Sequence, residues 1–176
     1  MAGVNTVPER LTNFRIYLDG SNDLKGVADL QLPSFEPMTD TVKGAGIGGE
    51  YEAPTIGHFQ SMKLTINWRS VTREMFSLLR QKGQRLDCRG AFQDYDAGKA
   101  TRVTRSVRVV VQGPTTKVDP GKYEVGSSSD GSAEIEVMYL KIEIEGRTVV
   151  ELDKLNFVFM VDGEDQFADV RKALGM

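Results

Sequence analysis

One cysteine and one histidine in 176 residues remove most of the chemistry open to a chain of this size. Cys88 alone cannot form an intrachain disulfide, and a single thiol suits a reducing compartment. It occupies an alternating position in RLDCRGAF with no histidine near it, so it reads as core packing rather than a nucleophile. With His58 alone, neither a Ser-His-Asp triad nor a histidine-based metal cluster can be assembled from one chain. There is no G-x-x-x-x-G-K-[ST], and no carboxylate is set apart in an apolar pocket where its pKa would rise. The expectation is a protein that is not an enzyme and has no cofactor or metal. No apolar run approaches the roughly 18 residues of a membrane span, and MAGVNTVPER lacks a signal-peptide core. A soluble, unexported chain without a membrane anchor is expected. Neither sign of charge dominates, with Lys+Arg 22 against Asp+Glu 25, so no basic footprint advertises tight nucleic-acid binding.

What the chain has is strands. The longest strand signal is Ser132 to Gly146, SAEIEVMYLKIEIEG, whose polar positions are nearly all glutamate. Ile135 and Val137 share one face and Glu134 and Glu136 the other. From Leu140 the parity inverts, with Leu140, Ile142 and Ile144 apolar and Lys141, Glu143 and Glu145 polar. A β-bulge near Met138 and Tyr139 would restore the register and leave one face apolar, the other acidic. Such a face is either merely solvated or a wall that a polyanion passes without sticking.

At this length residues 1–176 form a single domain. Met1 to Thr12 reads as a loose polar leader. Phe14 to Leu18 and Val27 to Leu32 alternate as a hairpin. From Pro33 to Gly57 no period holds, and three prolines with five glycines forbid a central strand over much of it, which gives a long interaction loop. Gly44, Gly46 and Gly49 satisfy G-x-G-x-x-G, yet no buried strand precedes them and no helix can follow, so a dinucleotide site is rejected. Glycines here let a backbone pack closely on another surface, and the loop is expected to become ordered only on contact with a neighbour. Met62 to Trp68 alternates cleanly. Ser70 is placed as N-cap of a helix from Val71 to Lys82, with Arg73, Glu74, Arg80 and Gln81 facing away from the sheet. Strands follow at Leu86 to Phe92 and Thr101 to Gln112, where Arg102 and Arg108 suit cross-strand pairing with Glu134 or Glu136. Further strands end in a short helix, Asp165 to Leu174. The fold class is mainly β, an antiparallel sandwich or barrel with one or two peripheral α-helices.

Read in order, NFRIYLDG (Asn13 to Gly20), GVADLQLPSFE (Gly26 to Glu36), KGAGIGG (Lys43 to Gly49), KVDPG (Lys117 to Gly121), YLKIEIEGRTVVELD (Tyr139 to Asp153) and VDGEDQFADVRKALG (Val161 to Gly175) resemble the major tail tube protein of contractile-tailed phages and the related R-type bacteriocin tubes. The resemblance runs nearly end to end and is weakest from His58 to Arg105. It implies hexameric rings stacked into a hollow tube inside a contractile sheath, with inner strands of neighbouring subunits joined around a lumen through which DNA passes. The implied partners are further copies of the chain, the sheath, baseplate and tail terminator proteins, and a tape measure protein in the lumen, within a virion tail assembled in the host cytoplasm. Lys43, Gly44, Ala45, Gly46, Ile47, Gly48 and Gly49 become the candidate ring-stacking loop. Glu134, Glu136, Glu143 and Glu145 become candidates for the lumen lining, and Arg73, Glu74, Arg80 and Gln81 for a sheath-facing helix. A headless bacteriocin-like tube is the alternative. Two other classes stay open: a DNA-binding module tracking phosphates along Lys63, Arg69, Arg102 and Arg108, and a monomeric barrel around a small molecule.

Overall fold

The parity inversion at Met138 and Tyr139 is a change of sheet, not a bulge. The computed structural model describes residues 5–20, 22–80 and 82–175. In chain order the strands are β1 (Thr6–Leu18), β2 (Asn22–Asp23), β3 (Val27–Gln31), β4 (Pro37–Lys43), β5 (Glu50–Phe59), β6 (Lys63–Trp68), β7 (Gln84–Asp96), β8 (Thr101–Gly113), β9 (Thr115–Asp119), β10 (Gly131–Glu136), β11 (Tyr139–Ile144), β12 (Arg147–Asp153), β13 (Val158–Val161) and β14 (Glu164–Asp165). Two short helices are α1 (Arg73–Ser77) and α2 (Ala168–Ala173). Eight strands form one sheet in the order β14-β13-β12-β11-β8-β7-β1-β2, four form a second in the order β3-β6-β10-β9, and β4 and β5 pair only with each other.

Between β10 and β11 the chain passes from the small sheet to the large one. The Val137 N–H donates to the Met62 carbonyl at 2.8 Å, and the next N–H, of Met138, donates to the Gln112 carbonyl at 2.9 Å. Adjacent residues thus bond to opposite layers. Ala133, Ile135 and Val137 before the corner and Leu140 after it are all buried, because each half turns its apolar residues toward the same core. Gly113 lies at this corner, where any Cβ would run into the Glu136 carbonyl. Leu64, Ile66 and Trp68 of β6 meet Ile16, Leu86, Cys88, Val111 and Leu152 of the large sheet in that core. Burial, then the neighbouring Asp87 carboxylate, pushes the Cys88 thiol up to about 12, which makes it the packing residue expected of it.

Leu30 of β3 lies near Leu11, Phe14 and Phe92 of the large sheet, whereas β10 meets the far end of β8 at Gly113.

Four expectations change. Residues 6–12 are not a loose leader: β1 pairs with β7 from Thr6↔Asp96 to Leu18↔Leu86. Residues 33–57 are not free of strands, since β4 and β5 form a hairpin from Pro37↔Phe59 to Lys43↔Glu50. The first helix shrinks to five residues, with Thr72 rather than Ser70 as its N-cap, its hydroxyl accepting from the Met75 N–H. Five residues suffice because only Met75 and the following Leu78 need cover from the core. The second helix begins at Ala168, after Phe167 has turned inward.

Candidate functional site

The β4–β5 hairpin projects as an arm whose own subunit covers little of it. Met38, Ile47, Tyr51 and Ile56 are exposed, Ile56 by 62% of its surface, and no ion pair among the described residues joins the two strands. The tip holds Lys43, Gly44, Ala45, Gly46, Ile47, Gly48 and Gly49, all exposed, closed by an Ile47 N–H to Gly44 carbonyl bond of 3.2 Å. Gly46 sits at φ +88°, a conformation that a side chain resists.

The arm's root is fastened by aromatic rings. Phe59 packs edge-on against Phe35 and Phe159 at 5.8 and 5.1 Å between centroids, and His58 lies edge-on to Phe157 and Phe167. Phe157 and Phe167 stack at 4.5 Å. Gly57, at φ +67°, lets the backbone lie against the Phe167 ring where a Cβ would overlap it. The Phe167 N–H donates to Asp165 at 3.0 Å, and Arg171 of α2 reaches both Asp165 and the Phe157 carbonyl, so the C-terminal segment holds this clasp in place. Alternation cannot reveal such a cluster, which joins residues 35–59 to residues 157–171.

The four candidate glutamates do not share a face. Glu134 and Glu136 lie on the outer face of the small sheet, and Glu143 on the outer face of the large one. Glu145 is in the β11–β12 turn at φ +51°. Nor is the face of β10 bare: Glu134 accepts from Lys63 at 2.8 Å with Lys117 at 4.0 Å, and Glu136 accepts from Ser61 at 2.6 Å with Lys154 at 3.5 Å. The hydrogen bond and charge of Lys63 hold the Glu134 carboxyl below its usual value.

On the large sheet Asp87 is buried beneath two arginines, with Arg89 and Arg108 each at 2.8 Å. Burial alone would raise its carboxyl, but the hydrogen bonds and charges of Arg108 and Arg89 outweigh burial and bring it to about 2. Arg108 also reaches Glu143 at 3.1 Å, and Glu143 reaches Lys141 at 3.0 Å. The partners of Arg102 and Arg108 are thus Glu9, Asp87 and Glu143, not Glu134 or Glu136, because the latter pair is on the other sheet. Lys63 is separated from Arg102 and Arg108 for the same reason, and all three are ion-paired, so they make no continuous phosphate track. In RLDCRG, parity puts Asp87 and Arg89 on the same outer face; the second arginine, Arg108, comes from the neighbouring strand β8, a signal absent from Asp87's own strand.

Arg73, Glu74 and Arg80 are exposed along α1 and the turn after it, and Gln81 lies outside the described residues. Arg80 and Leu79 border a cleft of ≈ 310 Å³ against residues 114–118 of β9 and its approach. Among the described residues no three His, Cys, Asp or Glu side chains converge to hold a metal, and no helix is long and apolar enough to cross a membrane.

Comparison with known proteins shows what the chain as a whole is similar to. The chain is 24% identical over 171 residues to the major tail tube protein of Serratia phage KSP20, covering 97% of this chain and 98% of that protein. It is also 24% identical over 177 residues to the tail tube protein of Escherichia phage P2, covering 97% and 99%. Residues 8–175 match the family described as phage tail tube protein FII. An antiparallel sandwich, a projecting arm with uncovered apolar side chains and a match spanning nearly the whole chain lead to one identification: the chain belongs to the phage tail tube protein FII family, structural proteins of the phage tail.

Proposed function

We propose that this chain is the ring subunit of the inner tube of a contractile injection tail, with hexameric rings stacked around a lumen that DNA traverses and a sheath outside. The observation that carries the reading is the arm, whose large apolar side chains Met38, Ile47, Tyr51 and Ile56 are left about half exposed on their own subunit. An isolated two-stranded hairpin is at best marginally stable in water, and its exposed apolar residues gain burial only against another molecule.

Edges suggest which sheet closes the ring. The small sheet ends in two strands of five residues, β3 and β9, with no further strand beside them. The large sheet ends in strands of two residues, and residues 6–15 of β1 carry Pro8, Glu9, Arg10 and two register shifts, features that keep an edge from pairing. The outer face of the small sheet is then the lumen wall, with Glu134 and Glu136 on it and Glu143 and Glu145 elsewhere. Its carboxylates are matched by Lys63, Lys117 and Lys154, so it neither grips nor strongly repels phosphates. At physiological salt any remaining field fades over roughly 8 Å.

Direction follows from topology. The arm leaves after β3 and returns before β6, at the end of the small sheet where Gln31 faces Thr65. A ring closed through strand edges leaves strand ends pointing along the tube, so the tip at residues 43–49 meets the next ring. Arg73 and Glu74 on α1 are the proposed sheath-facing charges. Partners are further copies of the chain, the sheath, baseplate and terminator proteins, and a tape measure protein in the lumen. Replacing residues 39–53 by a short Gly-Ser linker tests the reading: the expected product is a folded subunit with unchanged thermal unfolding that builds no tube by electron microscopy, and wild-type tubes would overturn it.

A further inference from the structure

We propose that the β4–β5 arm is jointed at residues 55–58 and that the Phe167 ring, seated on Gly57, is a latch that sets the angle of the joint; with the ring withdrawn, the arm swings. What the latch fixes is the arm's aim, which matters only if the arm serves assembly as read above.

The joint shows in the ladder. Pro37 pairs with Phe59, but the next pair is Thr39 with Pro54, so residues 55–58 stand opposite Met38 alone. A bulge interrupts pairing and re-aims the chain beyond it. Pro54, on the far side of this one, has no N–H to give to a ladder. On the body side the root is firm. The Gln60 N–H donates to the Glu36 carbonyl at 2.9 Å, Lys154 donates to the Gln60 carbonyl at 3.3 Å, and Phe59 packs against Phe35 and Phe159. Beyond the break β4 and β5 pair only with each other. A ribbon attached across an unpaired stretch keeps one direction only if side chains hold that stretch.

The C-terminal segment supplies them. Within the joint, Gly57 lies against the Phe167 ring, and His58 is edge-on to Phe157 and Phe167 at 6.3 and 6.2 Å. Phe167 is only 4% exposed, although α2, which it precedes, buries none of its own residues. Phe157 stacks on Phe167 and stands at φ +59°, in the left-handed region that a bulky side chain resists. Arg171, bonded to both the Phe157 carbonyl and Asp165, keeps it there. A strained residue persists only while its surroundings over-determine it, and such residues gather at clamps and switches. Withdrawing Phe167 from Gly57 removes the stack and frees Phe157 to relax, so the contacts release together rather than one by one. An arm already held at one angle gives up less freedom on docking.

The test uses the full chain as a dilute subunit. In a Cys88→Ala background, spin labels at Ala45→Cys on the arm tip and Gln112→Cys on β8 report the arm's angle as a distance distribution by pulsed electron paramagnetic resonance. One narrow distribution is expected, and hinge release in Gly57→Ala or Phe167→Ala should roughly double its width. Gly57→Ala leaves every ring in place and should melt as its parent does, which keeps the test decisive where Phe167→Ala folds poorly. Without the labels, tube elongation followed by light scattering should slow roughly tenfold in Gly57→Ala, because the arm must then be ordered on docking. A distribution already broad in the parent, or one that stays narrow in Gly57→Ala and Phe167→Ala, would overturn the latch and leave the tube reading intact. A broadened arm with unchanged elongation would keep the latch and overturn the arm's assembly role.

Discussion

Two ribbons of backbone extend past the sandwich core, and opposite means stabilise them. Residues 6–11, 92–96 and 101–105 form a three-stranded extension of the large sheet. Asp94 within it is buried and takes Arg105 at 2.8 Å, Arg105 lies over the Phe92 ring at 5.4 Å, and Glu9 joins Gln93 and Arg102. The β4–β5 arm has its ladder, an aromatic root and no such pairs. One ribbon ties its charged side chains together within the subunit, although Val7, Leu11 and Val103 stay exposed; the other has exposed apolar side chains and no such ties among the described residues. If the arm serves assembly as proposed, stability and assembly can each be changed without the other.

The sharpest break falls on the extension. Asp94→Ala leaves the Arg105 guanidinium, about one-fifth exposed, without its carboxylate, and removing one partner of a buried pair should lower unfolding free energy by about 2 to 3 kcal/mol. Chemical denaturation measures it, and the extension should lose hydrogen-exchange protection before the arm does.

Acid probes the same contrast more gently. The folded Asp87 carboxyl titrates at about 2, below its unfolded value near 3.8, so its contribution is complete above pH 4 and disappears as pH falls through 2. The half-exposed arginine ends are screened by water, which leaves about 1 kcal/mol to lose. Thermal unfolding followed from pH 5 to pH 2 should register it, and Asp87→Asn should flatten that part of the curve.

The smallest effect on the subunit is expected in the arm. Tyr51→Ser with Ile56→Ser alters side chains that are more than half exposed, so monomer stability should stay within about 0.5 kcal/mol. Tube yield should nevertheless fall. A stability loss above 1 kcal/mol would mean that the arm is buried on its own subunit and would erase the comparison.

The same contrast explains what could be read from the amino-acid order. Strands β6, β8 and β10 were legible because one face of each is buried, and burial writes the alternation of Leu64, Ile66 and Trp68 or of Ala133, Ile135 and Val137. In residues 6–12 and in the arm neither face packs on the core, so nothing imposes a period, and the amino-acid order alone reads as loose chain in both. The inversion after Val137 is visible in the amino-acid order, but a bulge and a change of layer leave the same parity trace. They differ only in which strand each N–H bonds. Of the candidate site, the glycine tip was legible from composition. The clasp of Gly57 on Phe167 joins distant segments, and no local pattern encodes it.

The corner at Val137 and Met138 has a mechanical consequence. Most of the hold between the two sheets is apolar contact, which resists separation but yields to sliding because one greasy surface shears easily over another. Here a single peptide bond links a residue anchored to Met62, just before β6, with one anchored to Gln112 of β8. Shear applied to one layer is passed to the other along covalent bonds, two residues long and without slack, before the core has to give. A tail part built this way behaves under longitudinal force as one plate rather than two.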